Sequence, residues 1–126
     1  MKIVLDSGAL IALDRNDRAM WRRMKSAQLA GSVPVTHGGV VGQAWRTGGP
    51  RQALLARALD GVDIRSLDGS LGRAAGQLLA RSGLADVIDA ALVLLSEEGD
   101  HIVTSDVRDI EALAHAAGCD VEIVRA

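Results

Sequence analysis

The fold of this chain is constrained most by two short apolar runs. Each run stops at an aspartate and is followed by a helical pattern. They occur in KIVLDSGAL, residues 2–10, and in HIVTSDVRDIEAL, residues 101–113. A continuous β-branched run is typical of a strand buried on both faces, as in a parallel sheet covered by helices. An aspartate at such a strand end has an ordinary role as N-cap of the next helix, and Asp106 with Asp109 has the spacing of a capping box.

Predicted strands and helices alternate along the whole chain. We predict strands at residues 2–5, 32–36, 61–67, 102–104 and 120–124. We predict helices at residues 7–13, 18–30, 39–46, 51–59, 69–83, 85–98 and 107–116. This alternation predicts an α/β fold with a central parallel sheet of four to five strands and helices on both faces. We expect one domain, residues 1–126, since a chain of this length supports one core.

The composition excludes several classes of function. Only 2% of the residues are aromatic, which argues against modules that read single strands on aromatic platforms. The net charge of −2 gives no overall attraction for polyanions, so RNA would have to contact a local basic patch. The single cysteine, Cys119, excludes an internal disulfide and a CxxC metal site. With neither a signal peptide nor a membrane-spanning run in the sequence, we expect a cytoplasmic protein that does not bind membranes.

The aspartates at the strand ends are predicted to converge. Open α/β sheets bind ligands outside the carboxyl ends of their strands, where the strand order switches. The segment ADVIDAA adds Asp86 and Asp89 at the start of a helix, so Asp6, Asp86 and Asp106 are expected to meet in one cleft. Two carboxylates at ~4 Å repel by roughly 4 kcal/mol at an effective dielectric constant near 20. Mg²⁺ or Mn²⁺ would offset this, whereas the alternative is that the acids are separate helix caps.

Three of these segments resemble the PIN-domain family, and more closely its small bacterial members, the VapC-like toxins of type II toxin–antitoxin modules. IVLDSGALIAL is similar to the opening strand of the family with Asp6 as its first acid, DVIDAALVLL places Asp86 at the third acid, and IVTSDVRDIEALA places Asp106 at the fourth. The resemblance covers almost the whole chain. It implies a single PIN-like α/β domain, RNA cleavage that depends on Mg²⁺ or Mn²⁺, a homodimer, and a cognate antitoxin that blocks the site.

The chain departs from the family pattern at one position. The family usually carries Glu on the helix after the second strand, where GGVVGQAWRTGG offers Gln43. An amide contributes no charge to a metal site, so metal affinity and activity depend on this difference. Asp89 and Asp109 either restore charge at the edge of the site or are solvated or capping carboxylates. Ser7 and Ser105 would bond a metal ligand or a phosphate, or act as helix caps.

Five arginines are candidates for RNA binding. Arg15, Arg18 and Arg22 are spaced by three and four residues, and Arg46 and Arg51 flank the TGGP break. Guanidinium groups bind phosphate well. The alternative is a solvated helix face in which the aspartates at positions 14 and 17 pair with the nearby arginines.

The remaining aromatic residues are predicted to have structural roles. We expect Trp21 and Trp45 to be core or interface anchors rather than base-stacking groups. Trp21 lies on one predicted helix with Met20 and Met24, and this apolar stripe would face a second copy of the chain. The histidines are expected to be exposed or hydrogen-bonded rather than metal ligands: His37, His101 and His115.

Three functions follow from these observations. The first is a metal-dependent endoribonuclease toxin, which needs no protein nucleophile because the bound ion activates water. The second is a PIN domain impaired by Gln43 that binds RNA or protein without catalysis. The third is a phosphotransfer domain with Asp6 or Asp106 as nucleophile. This function would need a lysine after a late strand to neutralise the phosphate, and the only lysines, Lys2 and Lys25, do not lie there.

Overall fold

The computed structural model describes residues 1–126, which form five strands and seven α-helices. The strands are β1 (Ile3–Leu5), β2 (Val35–His37), β3 (Asp63–Arg65), β4 (His101–Thr104) and β5 (Glu122–Arg125). The helices are α1 (Ser7–Asp14), α2 (Arg18–Leu29), α3 (Gly38–Ala44), α4 (Ala53–Leu59), α5 (Gly69–Ser82), α6 (Val87–Leu94) and α7 (Val107–Ala117). A 3₁₀ turn, Gly49–Gln52, precedes α4. No helix combines the length and the apolar content that crossing a bilayer would require.

All five strands belong to one parallel sheet in the order β3-β2-β1-β4-β5, which confirms the predicted fold class. The chain builds outward from β1 to β3 and then returns to place β4 on the other side of β1. The strand order therefore switches between β1 and β4, where Val4 is aligned with Ile102. The carboxyl ends of these two strands, followed by Asp6 and Asp106, lie at the position where α/β sheets bind ligands.

The helices form two groups, one on each face of the sheet. Helix α1 packs against α3 and α4, whereas α5, α6 and α7 pack against one another. Right-handed crossovers explain this division, because connections that run outward and connections that return must lie on opposite faces. The core between the layers is aliphatic, as the shortage of aromatic residues requires, and its fully buried members include Leu5, Leu10, Leu92 and Ile102.

Several element boundaries differ from the prediction. The helix predicted over residues 85–98 ends at Leu94, where the N–H groups of Leu95 and Ser96 each bond to the carbonyl three residues back. The next N–H, that of Glu97, binds the buried carboxylate of Asp100. The second strand begins at Val35 rather than residue 32, since Pro34 has no N–H for a sheet ladder. The predicted cap Asp68 does begin α5, and Gly83 ends it in the left-handed conformation.

Asp100 connects the start of β1 with the turn before β4. Its Oδ1 accepts a hydrogen bond from the backbone N–H of Lys2 at 2.8 Å, and its Oδ2 binds Lys2 Nζ at 2.6 Å and the Glu97 N–H at 2.8 Å. Burial alone would raise the pKa of Asp100, but the hydrogen bonds from Lys2 and Glu97 outweigh it and lower the pKa. The ionised carboxylate therefore stabilises the alignment of β1 with β4.

Candidate metal centre

Two glycines allow the turns at the carboxyl edge of the sheet to approach each other closely. A Cβ on Gly8 of α1 would lie 2.6 Å from Oγ of Ser105, the residue before Asp106. A Cβ on Gly39 of α3 would lie 2.5 Å from Cδ1 of Ile88 on α6. Neither distance leaves room for a side chain. The two contacts therefore bring the beginnings of α1 and α7 together, and those of α3 and α6.

Asp6 is buried and fixed by hydrogen bonds. Its Oδ1 accepts from the Ser7 backbone N–H at 2.7 Å, and its Oδ2 accepts from Oγ1 of Thr104 at 2.6 Å. The Thr104 oxygen in turn accepts from the Asp106 N–H at 2.9 Å. Thr104 thus connects the acids at the ends of β1 and β4. Sequence reasoning missed this residue, although a threonine two positions before a strand-end aspartate was visible in the sequence.

Asp86 and Asp106 occupy equivalent positions before a helix but have different bonds. Asp86 caps α6, because its Oδ1 accepts from the N–H groups of Ile88 at 2.9 Å and Asp89 at 3.1 Å. Asp106 is exposed and its carboxylate caps nothing. The predicted capping box of Asp106 and Asp109 is therefore wrong, and the Asp106 carboxylate makes no bond within the chain.

Asp89 lies at the centre of the acidic residues. It is buried, and its carboxylate, with those of Asp106 and Asp109, offers oxygens that all lie within 4.8 Å of one another. Burial first, and then the charges of Asp6, Asp86, Asp106 and Asp109, raise the pKa of Asp89 from 3.8 to about 7. Asp89 is neither solvated nor a cap. Its position three residues after Asp86 on an otherwise apolar helix was the signal for this placement.

The donor atoms suit a hard divalent cation. Carboxylate oxygens favour Mg²⁺ or Mn²⁺, and neither His nor Cys joins the cluster. As expected, the histidines have structural roles: His37 is fully buried between the Ile88 carbonyl at 2.9 Å and the Gly39 N–H at 3.1 Å. His101 pairs with Glu122 at 2.9 Å.

Gln43 remains without a bond at the position where the chain departs from the family pattern. Its Oε1 is one of two buried side-chain oxygens without a hydrogen-bond partner, the other being Oδ1 of Asp14. A buried acceptor left unpaired costs about 1–3 kcal/mol. Helix α3, which carries Gln43, contacts α6 through Gly39 and Ile88.

The candidate RNA-binding arginines are all accessible. The five side chains are exposed and none forms an ion pair: Arg15, Arg18, Arg22, Arg46 and Arg51. This exposure also fits the alternative of a solvated helix face, but the ion pairs expected with acids at positions 14 and 17 do not form, and Asp17 instead caps α2 by accepting from the Met20 N–H.

The apolar stripe expected on α2 is partly covered. Met20 is buried, whereas Trp21 and Met24 are half-buried against the core and line an open groove with Val33 and Pro34. Their contact with a second copy stays a prediction. Trp21 is a core anchor as predicted. Trp45 is 36% exposed and so is not part of the core, and its alternative role as an interface anchor stays a prediction.

The raised pKa of Asp89 predicts how stability depends on pH without divalent cations. The unfavourable charge is absent below pH 4 and fully present above pH 7, so the stability of the wild type falls as the pH rises between these values. Asp89→Asn removes this loss, and its melting temperature in EDTA should exceed that of the wild type at pH 8 but not at pH 4. Parallel melting curves across this range would contradict the assignment.

Comparison with known proteins supports the fold. No family model matches the sequence, and no curated protein matches it. A chain from the crystal structure of VapBC2 from Rickettsia felis, bound to a DNA fragment from their promoter, matches with a TM-score of 0.70. The match covers 98% of both chains at 12% sequence identity, so the likeness concerns the fold. Together with the strand order and the acids at the ends of β1 and β4, it shows that this chain has the VapC-like PIN-domain fold.

Proposed function

We propose that the chain is a Mg²⁺- or Mn²⁺-dependent endoribonuclease and the toxin of a type II toxin–antitoxin module. The observation that carries this proposal is the burial of Asp89 among four other aspartates at the switch point of a PIN-like sheet. Such a concentration of negative charge is costly in a small domain unless a cation offsets it. Perturbed carboxylates in this arrangement are also typical of functional sites.

Several carboxylates retain oxygens that are free to hold a cation. Asp106 accepts no hydrogen bond, and Asp86 uses only Oδ1 for capping. Asp6 is held by Thr104 and Ser7 in a fixed orientation, and a carboxylate with two such bonds keeps further acceptor sites. We propose Asp6, Asp86 and Asp106 as the principal metal ligands and catalytic residues. Of these three, Asp106 belongs to the group of carboxylates that lie within 4.8 Å of one another, together with Asp89 and Asp109.

Two further aspartates and two serines complete the proposed site. Asp89 and Asp109 supply additional negative charge beside Asp106. A divalent cation bound there would neutralise the cluster and polarise a phosphodiester. The hydroxyls of Ser7 and Ser105, which follow and precede acids of the site, would donate to a phosphate oxygen.

Substrate and partners follow from the surface and from the fold. The five exposed arginines would provide phosphate contacts for RNA, which the acidic centre alone would repel. The similar chain comes from a VapBC2 structure, which supports a cognate antitoxin as a partner of this chain. We also propose a homodimer in the cytoplasm, with the half-buried Trp21 and Met24 of α2 at its interface.

The direct test is cleavage of single-stranded RNA by the purified chain. Mg²⁺ or Mn²⁺ should start cleavage, and EDTA should stop it reversibly. RNA that is bound but left intact at every metal concentration would favour the impaired binding module instead. That alternative has one supporting observation, the uncharged and unbonded Gln43.

Gln43→Glu should tighten the binding of Mn²⁺, measured by calorimetry, because it adds a negative charge beside a cation site that has Gln where relatives have Glu. The wild type should bind in roughly the millimolar range, at the weak end for carboxylate sites. Gln77→Glu on the exposed face of α5 adds the same charge elsewhere and should change nothing. Equal affinities in all three proteins would mean that Gln43 does not reach the site.

A further inference from the structure

The loop between α3 and α4 is organised by one buried side chain, Gln52. Its Oε1 accepts from three consecutive backbone N–H groups, those of Arg46 at 2.9 Å, Thr47 at 3.0 Å and Gly48 at 2.9 Å. Its Nε2 donates to the Ala44 carbonyl at 3.1 Å. Gln52 is only 5% exposed. We name residues 45–51 the Gln52 loop, and these bonds give it a defined conformation before any ligand arrives.

This loop presents an aromatic ring to solvent. Trp45 is 36% exposed and its indole N–H donates to no group in the chain, although a tryptophan N–H usually finds a partner. Gly48 lies against the ring, and a Cβ there would be 3.1 Å from Cζ2. The ring is thus supported by backbone on one side. An exposed indole held in this way is suited to stacking on a flat ligand.

The surroundings of the ring are positively charged. Residues 18–59 contain seven of the fourteen Lys and Arg residues of the chain and none of its sixteen Asp and Glu residues. Arg46 and Arg51 flank the loop, and Nη1 of Arg46 is fixed by the carbonyls of Gly42 at 2.9 Å and Trp45 at 2.8 Å. A net charge of −2 therefore conceals a segment that attracts polyanions.

The loop is also near the acidic centre. Helix α3 connects the two regions, and its seven residues span only about 10 Å. Its first residues lie beside α6, where His37 bonds to the Ile88 carbonyl one position before Asp89. A strand of RNA whose phosphate reached the aspartates would have adjacent nucleotides within reach of Trp45.

We propose that the Gln52 loop binds single-stranded RNA, with the Trp45 ring stacked on an unpaired base and Arg46 and Arg51 on the flanking phosphates. Trp45 is then a positioning residue for cleavage, contrary to the structural role expected from the sequence. The choice of RNA as ligand rests on the proposed nuclease function. Stacking of this kind predicts that Trp45→Ala weakens RNA binding about tenfold or more.

The test uses fluorescence of Trp45 in a protein that binds RNA without cutting it. Asp106→Asn prevents cleavage, and Trp21→Phe leaves Trp45 as the only indole. Titration with a single-stranded oligoribonucleotide should quench this fluorescence, and lower salt should strengthen binding. The variants are compared by the fluorescence anisotropy of a dye-labelled oligoribonucleotide, because substitutions of Trp45 remove the indole signal. Affinity should be largely kept by Trp45→Phe, lost in Trp45→Ala, and reduced in Arg46→Ala and Arg51→Ala. Arg73→Ala, an exposed arginine on α5, is the matched control and should bind normally.

The outcomes separate this proposal from the nuclease assignment. Quenching by RNA in a chain whose wild type never cleaves RNA would support the loop and overturn the nuclease. Cleavage by the wild type with an unchanged KM in Trp45→Ala would overturn the loop alone. Quenching by an antitoxin segment but not by RNA would also overturn it. Circular dichroism should show that Trp45→Ala melts like the parent, which excludes unfolding as the cause of weaker binding.

Discussion

Replacing Asp106 by Asn is expected to reduce divalent-cation-stimulated RNA cleavage by at least about 100-fold, equivalent to about 2.8 kcal/mol at 1.4 kcal/mol per tenfold. The exposed Asp106 carboxylate accepts no hydrogen bond, so an amide of the same shape disturbs no internal contact. The substitution removes only a charge beside Asp89 and Asp109. Asp6→Asn should have the same effect on cleavage, with some loss of stability because Asp6 is bonded to Thr104 in the interior.

The matched control for this experiment is Glu111→Gln, which removes an exposed acid from the same helix, α7. It should cleave at the wild-type rate. Initial rates in Mn²⁺ and thermal melts should be measured on proteins that are free of contaminating nuclease. Full activity in purified Asp106→Asn would refute its catalytic role.

Removal of the Asp100 carboxylate should lower the free energy of unfolding more than any other substitution considered. Asp100→Ala leaves the half-buried ammonium of Lys2 with only the longer contact to Glu97 at 3.4 Å, and frees the N–H groups of Lys2 and Glu97. Breaking a buried ion pair typically costs about 3–5 kcal/mol. Urea denaturation should therefore show a lower midpoint with an unchanged slope. Asp63→Ala breaks the exposed pair with Arg65 and should change stability by only about 0.5 kcal/mol or less.

The effect of Asp100 also has a defined pH dependence. Because its pKa is lower in the folded protein than the usual 3.8, its contribution is complete at neutral pH and declines as the pH falls below about 4. The difference between wild type and Asp100→Ala should therefore shrink in acid. A difference that stays constant down to pH 2 would show that packing, and not the charge, is responsible.

The sequence was sufficient for features that depend on neighbouring residues. Runs such as Ile3–Leu5 are buried strands because no polar residue interrupts them, and Asp68 and Gly83 mark the ends of α5 through local backbone preferences. Parallel pairing followed from the helices between the strands. The strand ends then indicated where the acids at positions 6 and 106 lie.

Features that depend on distant contacts could not be predicted in this way. Asp89 is buried only because α6 docks against the sheet, so its charge state is not evident from its neighbours along the chain. The helix expected to reach residue 98 stops at Leu94, and the segment after it is fixed by Asp100, which binds both the Glu97 N–H and the distant Lys2. The hydrogen bonds of Gln52 are not reflected in any sequence pattern. Neither hydrophobic periodicity nor secondary-structure propensity distinguishes this buried glutamine from one on the surface.

The position of β4 beside β1 determines when, during synthesis, the sheet and the acidic centre at its edge can be completed. Strand β1 leaves the ribosome first, but its partner β4 is separated from it by nearly a hundred residues. At about 5–20 residues per second, that delay lasts roughly 5–20 s. During this interval one edge of β1 has no neighbour, and such open apolar edges invite pairing with other chains. Nascent or truncated chains that end before Asp106 would lack two of the five aspartates of the acidic centre, so they should be inert as nucleases and the most susceptible to aggregation.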